Sequence, residues 1–323
     1  MIGAVIDPWK LRMLVQLDAL GTVRAVAESL HLSPSTVSQQ LAALEREVRA
    51  PLLERSGRRV RLTEAGRVLA ARGRDLLAGM ASARAELDAL DGEPTGTVRL
   101  AAFQSAVAPL CLPAVATLRV SHPRLHVELA ELEPHEAPGA LLTDTADVVV
   151  TTTDDPRYPW SAELEVVPVG SDPLVLLLPP DHPLAQAPTP QTPQTTPSAS
   201  SATAPVDLAA CADEWWACDR PGSYMDDQVR RLCGAAGFAP RVAARFSTYL
   251  LLVQHVAAGL AVGVLPALAV PQDGRVAVRQ LAAPAHREVA AVLRRGARRR
   301  AGVAAVLEAL LDHPPVPGLS ALR

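Results

Sequence analysis

The sequence predicts an α/β protein in three parts: a small helical domain carrying a hairpin, one long helix, and a two-lobed domain of alternating strands and helices. Three observations predict it. Helical periodicity with a polar outer face closes near Glu47 and gives way to an arginine-rich stretch around Ser56-Gly57, an apolar row then recurs at heptad spacing from Leu69 to Leu90, and strands and helices alternate beyond Asp91. A length of 323 residues exceeds what one core fills and suits two or three domains, while 49% apolar and 20% charged residues indicate an ordinary folded chain.

The first helix runs from Pro8 to Leu20, with Leu11, Leu14 and Val15 facing inward, and Gly21-Thr22 ends it and caps the next. From Val23 to Glu47 the chain reads as two short helices joined by a tight turn at His31-Leu32, with Leu32 as the buried plug. Ala25, Val26, Ala27 and Leu30 let the first of these sit close to a neighbour. Ser33 can cap the second, and Pro34 occupies the first helical position, where a missing N–H costs nothing. Val37, Leu41 and Leu44 then recur at i, i+4 and i+7 and form an apolar stripe. The opposite face carries Ser35, Thr36, Ser38, Gln39 and Gln40, short polar side chains able to reach phosphate oxygens and base edges in a major groove.

An ordinary helix pair would share that spacing. The charge distribution separates the two readings. From Arg49 to Arg74 there are eight arginines against Glu54 and Glu64 alone, a local balance of +6 in a chain whose total is −3. Leu52 to Leu62 holds two strand-like pieces around Ser56-Gly57, which reads as a winged hairpin gripping phosphate through Arg55, Arg58, Arg59 and Arg61. The first 67 residues hold ten Lys and Arg against seven Asp and Glu (+3), and the remainder 21 against 27 (−6), as expected of a nucleic-acid module joined to an acidic sensor.

These residues resemble the LysR-type transcriptional regulators. S-P-S-T-V-S-Q-Q-L-A-A-L-E-R-E-V, then P-L-L-E-R, then R-R-V-R-L-T-E-A-G-R follow that family's amino-terminal pattern over roughly residues 8 to 72. Two departures stand out: Arg49 where the family usually has glycine after the recognition helix, so that the helix stop is expected to be shaped differently, and Thr36 in place of a common alanine. The expected DNA-contacting set is Ser33, Pro34, Ser35, Thr36, Ser38, Gln39, Arg55, Arg58 and Arg59. Residues 1–66 are then a winged helix-turn-helix domain and 67–96 a linker helix and hinge. Residues 97–323 form the effector domain, with lobe I at 97–170 and 266–323 and lobe II at 171–265.

Thr63-Glu64-Ala65-Gly66 opens the long helix. Leu69, Gly73, Leu76, Met80, Ala83, Leu87 and Leu90 step by 4, 3, 4, 3, 4 and 3, a seam for a second copy of the chain. Asp91 to Gly96 reads as a hinge. Thr97 to Ala101, a helix from Val107 to Val120, Leu125 to Leu132, and Ala146 to Val150 imply a parallel sheet, with Val175 to Leu178 starting a second set that includes the Asp226 to Gly234 helix and the Leu250 to Leu265 helix and strand. This order, with the chain crossing back near Pro266, resembles the family's periplasmic-binding-protein-like effector domain. Effector contacts are expected at strand ends and helix starts: Gln104 and Ser105, Thr151 and Thr152, Ser247 and Thr248, the last two equally readable as helix caps. Residues 187–205, rich in proline and small polar side chains, read as a disordered insertion.

Other classes fit less well. No signal peptide is visible, since Asp7, Lys10, Arg12 and Asp18 interrupt the first twenty residues, and a cytoplasmic protein is expected. The uncharged run from Ser247 to Gln272 is broken by Gln254, His255, Gly259 and Pro266 and reads as buried helix and strand, not a membrane span. Cys111, Cys211, Cys218 and Cys233 lack zinc spacing, and neither a metal nor another cofactor is expected; Cys211 and Cys218 are the pair to consider for redox sensing, as in some members of the family. His135 with Glu133 and Glu136, or Asp226 with Asp227, read as solvated charges without a nucleophile or phosphate loop, so no enzyme is expected. An architectural DNA binder would not need the sensor module. The expected partners are double-stranded DNA, a small-molecule effector, further copies in a homodimer or homotetramer, and RNA polymerase if the protein activates.

Overall fold

The computed structural model describes residues 6–30, 32–56, 59–89, 94–155, 160–185 and 204–312. Helix α1 (Pro8–Leu20) starts at Asp7, whose carboxylate accepts the Trp9 N–H at 2.8 Å, and stops at Gly21 in the left-handed conformation. Helices α2 (Val23–Ser29) and α3 (Pro34–Val48) pack on it around a core that includes Met13, Leu14, Val26, Val37, Leu41 and Leu44. Strands β1 (Leu53–Ser56) and β2 (Arg59–Leu62) pair antiparallel, Ser56 opposite Arg59, so the expected hairpin forms. Its tip residues, Gly57 and Arg58, lie outside the described residues.

Helix α4 (Glu64–Ala89) leaves this domain by way of two glycines. A Cβ on Gly66 would stand 2.2 Å from the Leu52 carbonyl oxygen, and one on Gly73 would press into Leu11 and Val15. The heptad seam is therefore divided. Gly73 and the half-buried Leu69 face the chain's own domain, whereas Leu76 (55% exposed), Met80 (54%) and Leu87 (61%) have no such cover. Leu90 lies outside the described residues.

The C-terminal part begins with β3 (Gly96–Ala102), α5 (Gln104–Ala106), α6 (Leu112–Ser121), β4 (Leu125–Glu131), α7 (Ala137–Leu142) and β5 (Val148–Thr152). Strand β6 (Leu164–Leu178) follows, then β7 (Trp215–Asp219), α8 (Tyr224–Ala235), β8 (Arg241–Phe246) and α9 (Tyr249–Ala257). Strands β9 (Gly263–Pro266), β10 (Ala277–Gln280) and β11 (His286–Arg294) and helix α10 (Ala301–Leu311) complete it. Strand β3 lies between β4 and β5, parallel to both, as expected.

Three expectations change. The helix expected from Val107 is wound as a π turn over Val107–Cys111 before α6, where Pro109 and Pro113 lack the N–H groups of a regular ladder. Val175 to Leu178 does not start a new strand; it is the far end of β6, which pairs with β11 over its first ten residues and with β9 and β10 over its last five. The sheet is accordingly mixed, in the order β10-β6-β11-β5-β3-β4. Because β10 stays on the lobe II end of β6, the chain returns to lobe I between Gln280 and His286, not near Pro266. Among the described residues no helix is long and apolar enough to cross a membrane: the uncharged run resolves into α9 and β9. Residues 187–203 of the proline-rich insertion lie outside the described residues.

Candidate DNA interface and effector cleft

Ser33 caps α3, its Oγ accepting the Thr36 N–H at 3.1 Å, and lies within 2.8 Å of the Ser35 and Thr36 hydroxyls. Ser38 donates to the Pro34 carbonyl at 2.9 Å. Ser33, Pro34, Ser35, Ser38 and Gln39 are exposed and Thr36 is half-buried, while Val37, Leu41 and Leu44 are buried on the other face. Among these residues Gln39 has the longest reach toward a base edge; the hydroxyls of Ser33 and Ser38 already serve the helix terminus.

The wing is tied to this helix. Glu45 Oε1 accepts the backbone N–H groups of Leu52 and Leu53 at 2.8 and 3.0 Å, so the carboxylate that closes α3 also fixes the start of β1. Arg49 takes the left-handed conformation (φ 55, ψ 36), and its N–H bonds the Glu45 carbonyl. This corrects the expected change in the helix stop: the stop keeps the shape a glycine would give, with arginine bearing the conformational cost. Arg55 and Arg59 sit in the paired strands, Arg61 is exposed, and Arg58 lies outside the described residues.

Between the lobes, Arg287 on β11 and Asp172 on β6 stand opposite each other in register, pair at 2.7 Å and are 1% and 0% exposed. Burial pushes the Asp172 carboxyl above its ordinary range, against the opposing pull of Arg287. The guanidinium also donates to Ser105 Oγ and lies 4.2 Å from the Phe103 ring centroid. Nearby, Thr152 Oγ1 donates to Asp154, and Tyr224 of lobe II donates to both Asp154 oxygens at 3.1 Å. Gln104 spans the lobes, donating to the Ser247 carbonyl at 3.2 Å and accepting the Tyr249 N–H at 2.8 Å, and Arg220 pairs with Glu133 at 2.8 Å across the rim. The arrangement is a set of hydroxyls and charged groups that converge where the two lobes meet and are bonded to one another.

The family model described as "Bacterial regulatory helix-turn-helix protein, lysR family" matches residues 9–67, and that of the "LysR substrate binding domain" matches residues 91–197 and 195–315. The chain belongs to the LysR family. It is thus a DNA-binding transcriptional regulator with a C-terminal effector-binding domain. A "Probable hydrogen peroxide-inducible genes activator" of Streptomyces viridosporus is 32% identical, over 94% of this chain and 97% of that one. A "Probable RuBisCO transcriptional regulator" of Nostoc sp. is 29% identical, but over 55% of this chain and 52% of its own length. Among solved structures, a full-length OxyR variant from Pseudomonas aeruginosa shares the fold, with a TM-score of 0.64 at 22% identity over 96% of this chain and 99% of that one.

Within this LysR-family chain the six expected effector residues do not act alike. Gln104, Ser105 and Thr152 join the interlobe constellation. Thr151 is buried on the other face of β5, with Val149, and its hydroxyl has no partner among the described residues. Ser247 contributes its carbonyl. Thr248 stands at the α9 cap position without a side-chain cap bond; Gln104 supplies one from the opposite lobe. Asp154, Asp172, Tyr224 and Arg287 escaped sequence reasoning, although Asp154 follows the expected strand end directly and Tyr224 opens a helix after Pro221-Gly222-Ser223. Asp226, expected to be solvated, is 3% exposed and engaged by Arg230 and Arg245, which makes it a structural charge at the start of α8. All four cysteines are buried, and burial pushes the thiols of Cys211 and Cys218 up to about 11.

Proposed function

We propose that this regulator works as a dimer or tetramer that reads an interrupted inverted repeat in double-stranded DNA and responds to a small polar molecule held between its lobes. The observation that supports this reading is the exposed row of Leu76, Met80, Ala83 and Leu87, apolar at heptad spacing beyond the point where α4 leaves its own domain. A single winged module touches only a few base pairs. Two recognition helices about one helical turn or a multiple apart are needed for a selective site, and a second copy along this row would supply the pair. Contacts with RNA polymerase follow where the outcome is activation, and the chain itself carries out no catalysis. Sensing by binding is favoured over cysteine oxidation because Cys211 and Cys218 are buried with raised pKa values, the opposite of a reactive thiolate site. The test is selection of bound duplexes from random DNA by the full-length protein, then footprinting with and without hydrogen peroxide. Two half-sites related by a twofold axis, protected alike under both conditions, are expected. A lone half-site bound at full affinity would overturn the dimeric reading, and a peroxide-dependent footprint would restore the redox one.

A further inference from the structure

The DNA-binding domain is fastened to lobe I by α1. Gln16 Nε2 donates to the Thr143 carbonyl at 2.9 Å in a buried bond, and Arg12 pairs with Asp144 at 3.0 Å. Arg74 on α4 pairs with Glu163 of lobe I at 2.6 Å and with Asp18 of its own domain at 2.8 Å. Between these ties the two surfaces do not close. A cavity of about 440 Å³ remains, within the size range of small-molecule sites.

Its chemistry is specific. Four guanidiniums, those of Arg12, Arg74, Arg294 and Arg295, line it against the three carboxylates of Asp75, Asp144 and Glu163, which leaves the lining at +1. Val15, Leu77 and Leu142 supply an apolar wall. Arg294 pairs with Asp144, and burial and the neighbouring Arg300 and Arg99 work against its charged form while Asp144 and Asp147 support it.

We propose that this interdomain cavity is a second ligand site, separate from the interlobe cleft, that takes a small organic anion with an apolar body. The anionic group would meet the guanidiniums and the body would cover the apolar wall. Such an anion competes with Asp144 for Arg12 and with Glu163 for Arg74, the pairs that hold the DNA-binding domain on lobe I. Occupancy therefore loosens those ties and alters how the DNA-binding domain is held. None of this uses a residue of the interlobe cleft.

The probe is 8-anilinonaphthalene-1-sulfonate, with the uncharged N-phenyl-1-naphthylamine as its counterpart, both titrated by fluorescence into the full-length protein. One saturable site for the sulfonate is expected, with the uncharged compound at least about tenfold weaker, as the loss of a charge-assisted contact implies. Leu77→Trp fills the cavity, and Ala162→Trp blocks its exposed rim without touching a core, which guards against a folding failure of the first variant. Both should weaken sulfonate binding at least about tenfold while circular dichroism matches the parent, and Thr152→Val in the cleft should leave binding unchanged. If Ala162→Trp titrates like the parent, if Thr152→Val abolishes binding, or if the uncharged compound binds as tightly, the site is not this cavity or not an anion site, and the proposal fails.

Discussion

Gln104 Oε1 accepts the backbone N–H of Tyr249 at 2.8 Å, so a side chain of lobe I caps the first turn of a helix in lobe II. The amide nitrogen of the same side chain donates to the Ser247 carbonyl, and together the two bonds latch the lobes to each other. Replacing Gln104 by alanine should cost the α9 terminus about 1 kcal/mol, the usual value of a lost cap. Amide exchange at Tyr249 through Leu252 should then quicken about fivefold, measured by mass spectrometry. Exchange at the parent rate would mean that Thr248 or solvent caps the helix equally well.

On the DNA side, Gln39→Ala should change the preferred bases at a cost of about 1–3 kcal/mol, because Gln39 is exposed on the polar face of α3 with a side chain long enough to read a base edge. Arg58→Ala with Arg59→Ala should instead weaken all sequences together and reduce the salt slope by up to about two, one unit per phosphate contact. Sites selected from random DNA and titrations at several salt concentrations distinguish the two effects. An unaltered consensus for Gln39→Ala would remove it from the base-reading set.

Leu76→Glu with Leu87→Glu should yield a monomer. Both positions are exposed in the single chain, so the folded protomer tolerates the charges, whereas a paired α4 would bury them unpartnered at a cost of several kcal/mol. Analytical ultracentrifugation should show the monomer mass with an unchanged circular dichroism spectrum. A variant that stays dimeric would place the dimer interface elsewhere.

Arg49 offers a stabilising change. Its left-handed backbone disfavours any residue with a Cβ, and its side chain is exposed, so Arg49→Gly should raise stability by about 1 kcal/mol. The midpoint of denaturant unfolding should move up while DNA affinity falls slightly if the guanidinium touches phosphate. A lower midpoint would show that the arginine makes a stabilising contact that outweighs its backbone cost.

Asp147 is a buried carboxylate of lobe I held by three arginines. Burial opposes its ionised form, but hydrogen bonds from Arg99 and the charge of Arg300 outweigh that and hold its pKa below the ordinary carboxylate value. The sign follows: with a folded pKa below the unfolded one, this stabilisation is complete above the ordinary aspartate value of about 3.9 and is lost as pH falls through the depressed folded value. Asp147→Asn should therefore be about 2–3 kcal/mol less stable than the parent at pH 7, a gap that narrows in strong acid. An equal gap at pH 7 and pH 2.5 would show that packing, not charge, is what the substitution removes.

Much of the DNA-binding domain was legible because its signals are local. The Ser33 cap, Pro34 at the first helical position, the Val37-Leu41-Leu44 stripe and the pairing of the strands on either side of Gly57-Arg58 all lie within a few residues of what they control, and the structure has each of them as expected. The α4 seam was legible as a period but not in its division, because only the placement of α1 determines that Gly73 is covered and Leu76 is not.

What tertiary structure alone decided lies between residues far apart in the chain. Arg287 finds Asp172 across 115 positions, and Gln16 finds Thr143 across 127. Periodicity reports which face of an element is buried, and capping residues report where the element ends, since both act through bonds to residues nearby. Neither carries the register between β6 and β11, the lobe to which β10 belongs, or the surface on which α1 rests. Those depend on how the assembled sheet satisfies its backbone groups and buried charges, and so the identity of this regulator was written locally while its interlobe bonds and its interdomain cavity exist only once the chain has folded.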